Sequence, residues 1–221
     1  MLEILFGQLK NHIGLFIAGS VLMALVPLAL ITLFTKIDEE ISDKLKPSKK
    51  DITVIVVTGT LISVLVTGTK AMNIMCWINF IVMMAYLVFM SYTDQKTKLV
   101  YTVTSVVMIV FEVVVLMTHP EIKMINMLIT LIIPAIIQIA CIFKFIGMGD
   151  SLIFWNLALY LSVWSYDSVW FMLILVLLSN ILFVVSALYK KIVKSKKDKR
   201  LPYTLYITIA AFIVFLIIPI Y

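Results

Sequence analysis

Eight stretches of apolar side chains follow one another along the chain, at residues 14–34, 52–69, 71–92, 99–118, 124–146, 151–166, 169–189 and 202–220. Most approach the about 20 residues that a helix needs to cross the hydrocarbon core of a bilayer. Inside that core every backbone N–H and C=O must find its partner within the protein, which leaves helices or a closed barrel. A barrel would alternate polar and apolar side chains at period two, and these stretches are apolar nearly throughout. The whole chain holds only 7 Gly and 6 Pro, which suits continuous helices. Soluble domains are about 45–50% apolar and about 25% charged; this chain is 63% hydrophobic and 14% charged, so its solvent is lipid. The expected fold is all-α and polytopic, with about eight transmembrane helices. A cleaved leader is not expected, because the first stretch is long, follows a single Lys and lacks a small-residue cleavage site.

The net charge of +6 reads as a topology signal. Of the 18 Lys and Arg, 15 follow odd-numbered stretches, and only Lys10, Lys70 and Lys123 fall on the other side. Basic residues gather on the cytoplasmic side, so loops after odd-numbered stretches are expected there and both termini outside. Between the first two stretches, Ile37, Ile41 and Leu45 recur every four residues among Glu39, Glu40, Lys44 and Lys46, and Pro47 ends the pattern. This is either a short amphipathic helix on the membrane surface or a solvated charged loop. The basic run at 190–200 is expected to touch anionic lipid heads; nucleic acid is not an expected partner. Cys76 and Cys141 form no pair and the two His have no neighbours at ligand spacing, so no metal or other cofactor is expected.

An ionisable group in or beside a bilayer is costly, and each one is a functional candidate. The acids near apolar stretches are Asp94, Glu112, Asp150 and Asp167. Asp94 ends the third stretch and Asp150 opens the sixth, so the topology puts both at the cytoplasmic boundary. Two neighbouring carboxyls cannot both ionise cheaply and share a proton. One can then take a proton from water while the other polarises a peptide carbonyl and helps the amine leave. Gly147 and Gly149, just ahead of Asp150, free the backbone to turn and to approach another chain closely. The alternative is that the two glycines make a plain turn with Asp150 as the cap of the following helix.

The sequence Gly147-Met148-Gly149-Asp150 opening a membrane helix, with Asp94 ending a helix three spans earlier, resembles the GxGD aspartyl proteases. Within that group the chain is similar to the type IV prepilin peptidases and archaeal preflagellin peptidases. Asp94-Gln-Lys-Thr-Lys-Leu matches their aspartate and basic stretch, although Val100-Tyr101-Thr102 lacks the Pro-Asn that follows in the family. Leu201-Pro202-Tyr203 after a basic loop, with Ala210 further on, resembles the family's last helix. The likeness covers 71–221, a six-helix protease core, and leaves 1–70 as two added membrane helices with a charged cytoplasmic loop. It implies catalytic Asp94 and Asp150, a site shaped by Gly147 and Gly149, and cleavage of a basic leader from pilin-like or flagellin-like precursors at the cytoplasmic face of the cell membrane. The Cys pairs that accompany methyl transfer in bacterial members are absent.

Glu112 lies deep in the fourth stretch, as a buried protonated structural acid or a group that tunes the dyad. Asn156 either bonds between helices or lines the site, while Gln138 and His119 read as structural. The rival class is a small transporter or channel using intramembrane acids; it would show internal repeats and Gly breaks at mid-span, neither of which is present. A third reading is an inactive member of the protease fold serving as a membrane scaffold.

Overall fold

The computed structural model describes residues 12–38, 42–69, 74–118, 124–143, 147–194 and 201–218. The described residues form nine helices and no strand: α1 (Ile13–Ile37), α2 (Ser42–Leu45), α3 (Lys49–Thr69), α4 (Ile74–Thr97), α5 (Thr102–Met117), α6 (Met124–Ile142), α7 (Met148–Trp164), α8 (Ser168–Lys194) and α9 (Tyr203–Ile217). All but the single turn of α2 fall on the eight apolar stretches. Five of them, α1, α3, α4, α6 and α8, are long and apolar enough to cross a membrane, and α5 and α9 are shorter apolar helices. The chain is an all-α, multi-pass membrane protein. Side chains such as Ile17, Leu25, Ile132, Ile136, Leu177 and Val185 stand exposed along α1, α6 and α8. So large an apolar surface suits contact with lipid and not with water.

The charged segment after α1 is divided. Ile37 closes α1, buried Leu45 closes α2, and Pro47 separates α2 from α3. Glu39, Glu40 and Ile41 lie outside the described residues. The start of α3 is closed by a reciprocal cap: the Ser48 N–H donates to Asp51 Oδ2 at 3.0 Å, and the Asp51 N–H donates to Ser48 Oγ at 3.2 Å. Each bond satisfies a donor that the first helical turn leaves free.

Two compact units make up the chain, residues 1–89 with 220–221, and residues 90–219; the boundary falls inside α4. In the first unit α1 packs on α3. A Cβ at Gly59 would lie 2.9 Å from Met23 Cβ, and one at Gly19 would lie 2.9 Å from the Trp77 ring. The Ser63 hydroxyl donates to the Phe16 carbonyl at 3.1 Å.

In the second unit α7 is the central helix. It packs against α5, α6, α8 and α9, and its buried residues run from Ser151 to Trp164 on every face. A helix apolar all round belongs in an interior. Polar side chains tie the unit together. Asn156 Nδ2 donates to the Ser105 carbonyl at 3.2 Å, joining α7 to α5. The Thr130 and Ser168 hydroxyls are 2.7 Å apart, joining α6 to α8. At the end of α4 the Ser91 hydroxyl is 2.6 Å from that of Thr208 on α9. Such bonds each contribute on the order of 1 kcal/mol between helices in lipid. The rings of Tyr160 and Phe215 sit 4.6 Å apart between α7 and α9.

Candidate functional site

Every residue of the site belongs to the second unit. Asp94 lies in the last turn of α4, where Lys98 N–H bonds to its carbonyl at 3.0 Å. Lys98 adopts φ 62°, the left-handed conformation in which helices commonly end. The chain then runs through Leu99 and Val100 to Tyr101, the extended N-cap of α5. Asp150 lies in the first turn of α7, whose N-cap is Gly147 with φ −70° and ψ 142° and no side-chain bond. Gly147, not Asp150, caps this helix, and the carboxyl is left for another partner. The third contributor is α9. Pro202 is its N-cap, so the N–H groups of the residues just after it have no partner within the helix.

Thr204 uses one of those free donors. Its main-chain N–H donates to Asp94 Oδ2 at 3.2 Å, and its hydroxyl donates to Asp150 Oδ1 at 3.0 Å. Two carboxyls 56 positions apart in sequence thus meet on one residue. Thr204 is itself fully buried. Its carbonyl accepts from the Thr208 hydroxyl at 3.0 Å and from the Ser91 hydroxyl at 3.3 Å.

The two glycines have separate reasons. A Cβ at Gly149 would stand 2.8 Å from Val100 Cγ1 and closer still to its Cβ, so a side chain there would push α7 off the α4–α5 turn. A Cβ at Gly147 would touch only the Asp150 carboxyl, 3.0 Å from Oδ2. The second glycine admits the Val100 side chain and the first spares a carboxylate. Close approach of this kind is the general use of glycine.

Asp94, Gly147, Gly149 and Asp150 all line one cavity of about 800 Å³. Its other walls include Lys98 and Val100 from the turn, Cys141 of α6, Asn180 and Phe183 of α8, and Tyr203 of α9. The Tyr203 hydroxyl donates to Asn180 Oδ1 at 3.2 Å, and its ring meets that of Phe183 edge-on at 5.3 Å. The wall is therefore apolar, with a few fixed polar groups and an acidic pair, the usual make-up of a binding site. Chemically, two carboxyls opening on a cavity can exchange protons with a water molecule and a bound carbonyl. Among the described residues no three His, Cys, Asp or Glu side chains gather where they could hold a metal ion.

Glu112 and Asn156 do not line this cavity. Both are fully buried, Glu112 on α5 and Asn156 on α7, and Asn156 bonds between helices. Gln138 accepts a hydrogen bond from the Ser151 hydroxyl one residue beyond Asp150; His119 lies outside the described residues. The residue that sequence reasoning missed is Thr204. Its signal was the helix-starting Pro202, which leaves free donors beside any acid that reaches it. The chain matches no protein-family model, no curated protein and no solved structure.

Proposed function

We propose that this chain is an intramembrane aspartyl endopeptidase in which Asp94 and Asp150 activate water against a peptide bond. The observation that carries the reading is the convergence on Thr204 of two carboxyls that both line a cavity of about 800 Å³. With one carboxyl ionised and one protonated, the first takes a proton from water as its oxygen attacks the carbonyl carbon. The second gives its proton to the departing nitrogen as the C–N bond breaks. No cofactor takes part in these steps. The resemblance of the Asp94 and Gly147–Asp150 segments to prepilin and preflagellin peptidases supports a substrate with a basic leader ahead of an apolar helix. In this reading the site faces the cytoplasm at the cell membrane, an orientation that the distribution of Lys and Arg supports, and the substrate helix rests among membrane lipids.

The test is co-expression with prepilin-like and preflagellin-like precursors, following the precursor's gel mobility. Wild type and Glu112→Gln are expected to cleave, and Asp94→Asn and Asp150→Asn to leave the precursor intact. Cleavage at the wild-type rate by either Asp variant overturns the dyad. A wild type that cleaves none of the precursors would favour the small-transporter and scaffold readings instead.

A further inference from the structure

We infer that Asn180 is a substrate-anchoring residue, whose side-chain amide pairs with the N–H and C=O groups of an extended substrate main chain and holds it beside the two carboxyls. The inference rests on the protease reading and says how the same site grips its substrate.

Asn180 lies nearly level with Asp150. Residues 165–167 alone join α7 to α8, so Trp164 and Ser168 mark the same end of the unit. Measured from that end at about 1.5 Å per residue, Asn180 stands about 18 Å along α8 and Asp150 about 21 Å along α7. Both residues line the cavity of about 800 Å³. Asn180 is exposed, and its neighbours on that side of α8, Leu177 and Ile181, are exposed and apolar. A polar side chain at such a depth in a membrane helix marks the path of a substrate or of water.

The amide is also oriented in advance. The Val176 carbonyl can only accept, so it is the amide nitrogen that faces it, donating at 2.8 Å. That leaves Oδ1 to accept from the Tyr203 hydroxyl at 3.2 Å. Tyr203 is itself fixed: its ring meets Phe183 edge-on at 5.3 Å, and its hydroxyl lies 3.3 Å from that of buried Ser179. An asparagine amide has two N–H hydrogens and an oxygen with two lone pairs. These bonds use one of each and leave one of each for a ligand. The main chain of a peptide offers the complement, N–H donors and C=O acceptors. A peptide extended toward the carboxyls has no helix of its own to satisfy those groups, and leaving them unpaired at membrane depth is costly. Asn180 supplies partners where the chain must be unwound to be cut.

The experiment uses synthetic precursor peptides, each N-methylated at one amide other than the scissile one, digested by full-length protein in detergent. Asn180→Leu has a similar branched shape and no polar atom. Losing one or two neutral hydrogen bonds is expected to raise its KM for the unmethylated peptide roughly 10-fold. Its kcat should stay within about twofold of wild type, because a contact made equally before and during bond cleavage moves KM alone. At one position N-methylation is expected to raise KM in wild type and to add nothing in Asn180→Leu. Tyr203→Phe frees the amide to turn, and is expected to raise KM about 2- to 5-fold and to shrink the penalty at that same position. Should Asn180→Leu melt below the assay temperature, Tyr203→Phe carries the comparison. An unchanged KM, or N-methyl penalties that all persist in the variants, overturns the inference and leaves the protease reading standing. So does a loss seen in melting temperature and kcat but not in KM, which would make Asn180 only a tie between α8 and α9. If wild type cleaves no peptide and no precursor, the protease reading fails first and this one falls with it.

Discussion

Replacing Gly149 with alanine should damage the protein through one neighbour, Val100, and the contact geometry says how to reverse it. The added Cβ would meet Val100 Cγ1 at 2.8 Å, Val100 Cγ2 at 3.3 Å and, nearest of all, Val100 Cβ. Real carbon contacts are optimal near 3.5–4.0 Å, so α7 and the Val100 turn must separate by about 1 Å. Overpacking of this kind typically costs about 1–3 kcal/mol. In a chain of this size that lowers the melting temperature by roughly 2–10 °C. Because Asp150 is the next residue, the same displacement moves a proposed catalytic carboxyl, and a misplacement of about 1 Å can cost about 100-fold in rate. Relief should be graded. Val100→Ala removes the two methyls but keeps the closest carbon, so it should rescue Gly149→Ala in part. Val100→Gly removes all three contacts and should rescue it further. A double-mutant cycle on melting temperature and cleavage rate measures the coupling. Additive effects in both double variants would refute the argument, because they would mean that Gly149 is required for some reason other than Val100.

Gly147→Ala should behave differently: its Cβ meets only the Asp150 carboxyl, at 3.0 Å, so cleavage should fall while the melting temperature stays within about 2 °C of wild type, a shift set by less than 1 kcal/mol. Ser91→Ala removes hydrogen bonds to the Thr208 hydroxyl and the Thr204 carbonyl; a loss of about 1 kcal/mol in a denaturation series is expected, and an unchanged stability would count against this tie between α4 and α9. Lys98→Gly should raise stability by up to about 1 kcal/mol, because a side chain at φ 62° is strained where glycine is not. If the carboxyls share one proton, the cleavage rate should rise and fall with pH along two limbs, and a single-limbed profile would speak against a coupled pair.

Much of the architecture could be read from residue order, because lipid admits so few backbones. The unbroken apolar stretches foretold eight helices to within a few residues at most ends, five of them long and apolar enough to cross a membrane. Parity of the stretches also put Asp94 and Asp150 at a common end, which is how the ends of α4 and the start of α7 come together. Side-chain direction was less accessible. Asn156 offered two readings with nothing to choose between them, and only packing of α7 on α5 turned its amide to the Ser105 carbonyl. Thr204 was hidden for a different reason. It reaches Asp94 through its backbone N–H, a group every residue but proline possesses, so no residue type announces the contact. The glycines were legible as a pair, but their separate duties depend on Val100 and on the Asp150 carboxyl, partners that composition does not reveal.

The central place of α7 bears on how the protein is made. A helix that meets protein on every side gains little from lipid, and α7 has only 17 residues, with Ser151, Asn156 and Ser162 among its buried positions. Entry of a segment into the membrane during synthesis depends on its own apolarity unless neighbours help it. The helix that carries Asp150 is thus a weak self-inserter that needs α5 and α6, made before it, and α8 and α9, made after it. A nascent chain halted before α8 would hold α7 loosely, and the acidic pair would meet only once α9 brings Thr204 into place. Until α9 is made, the two carboxyls would lack the residue on which they converge.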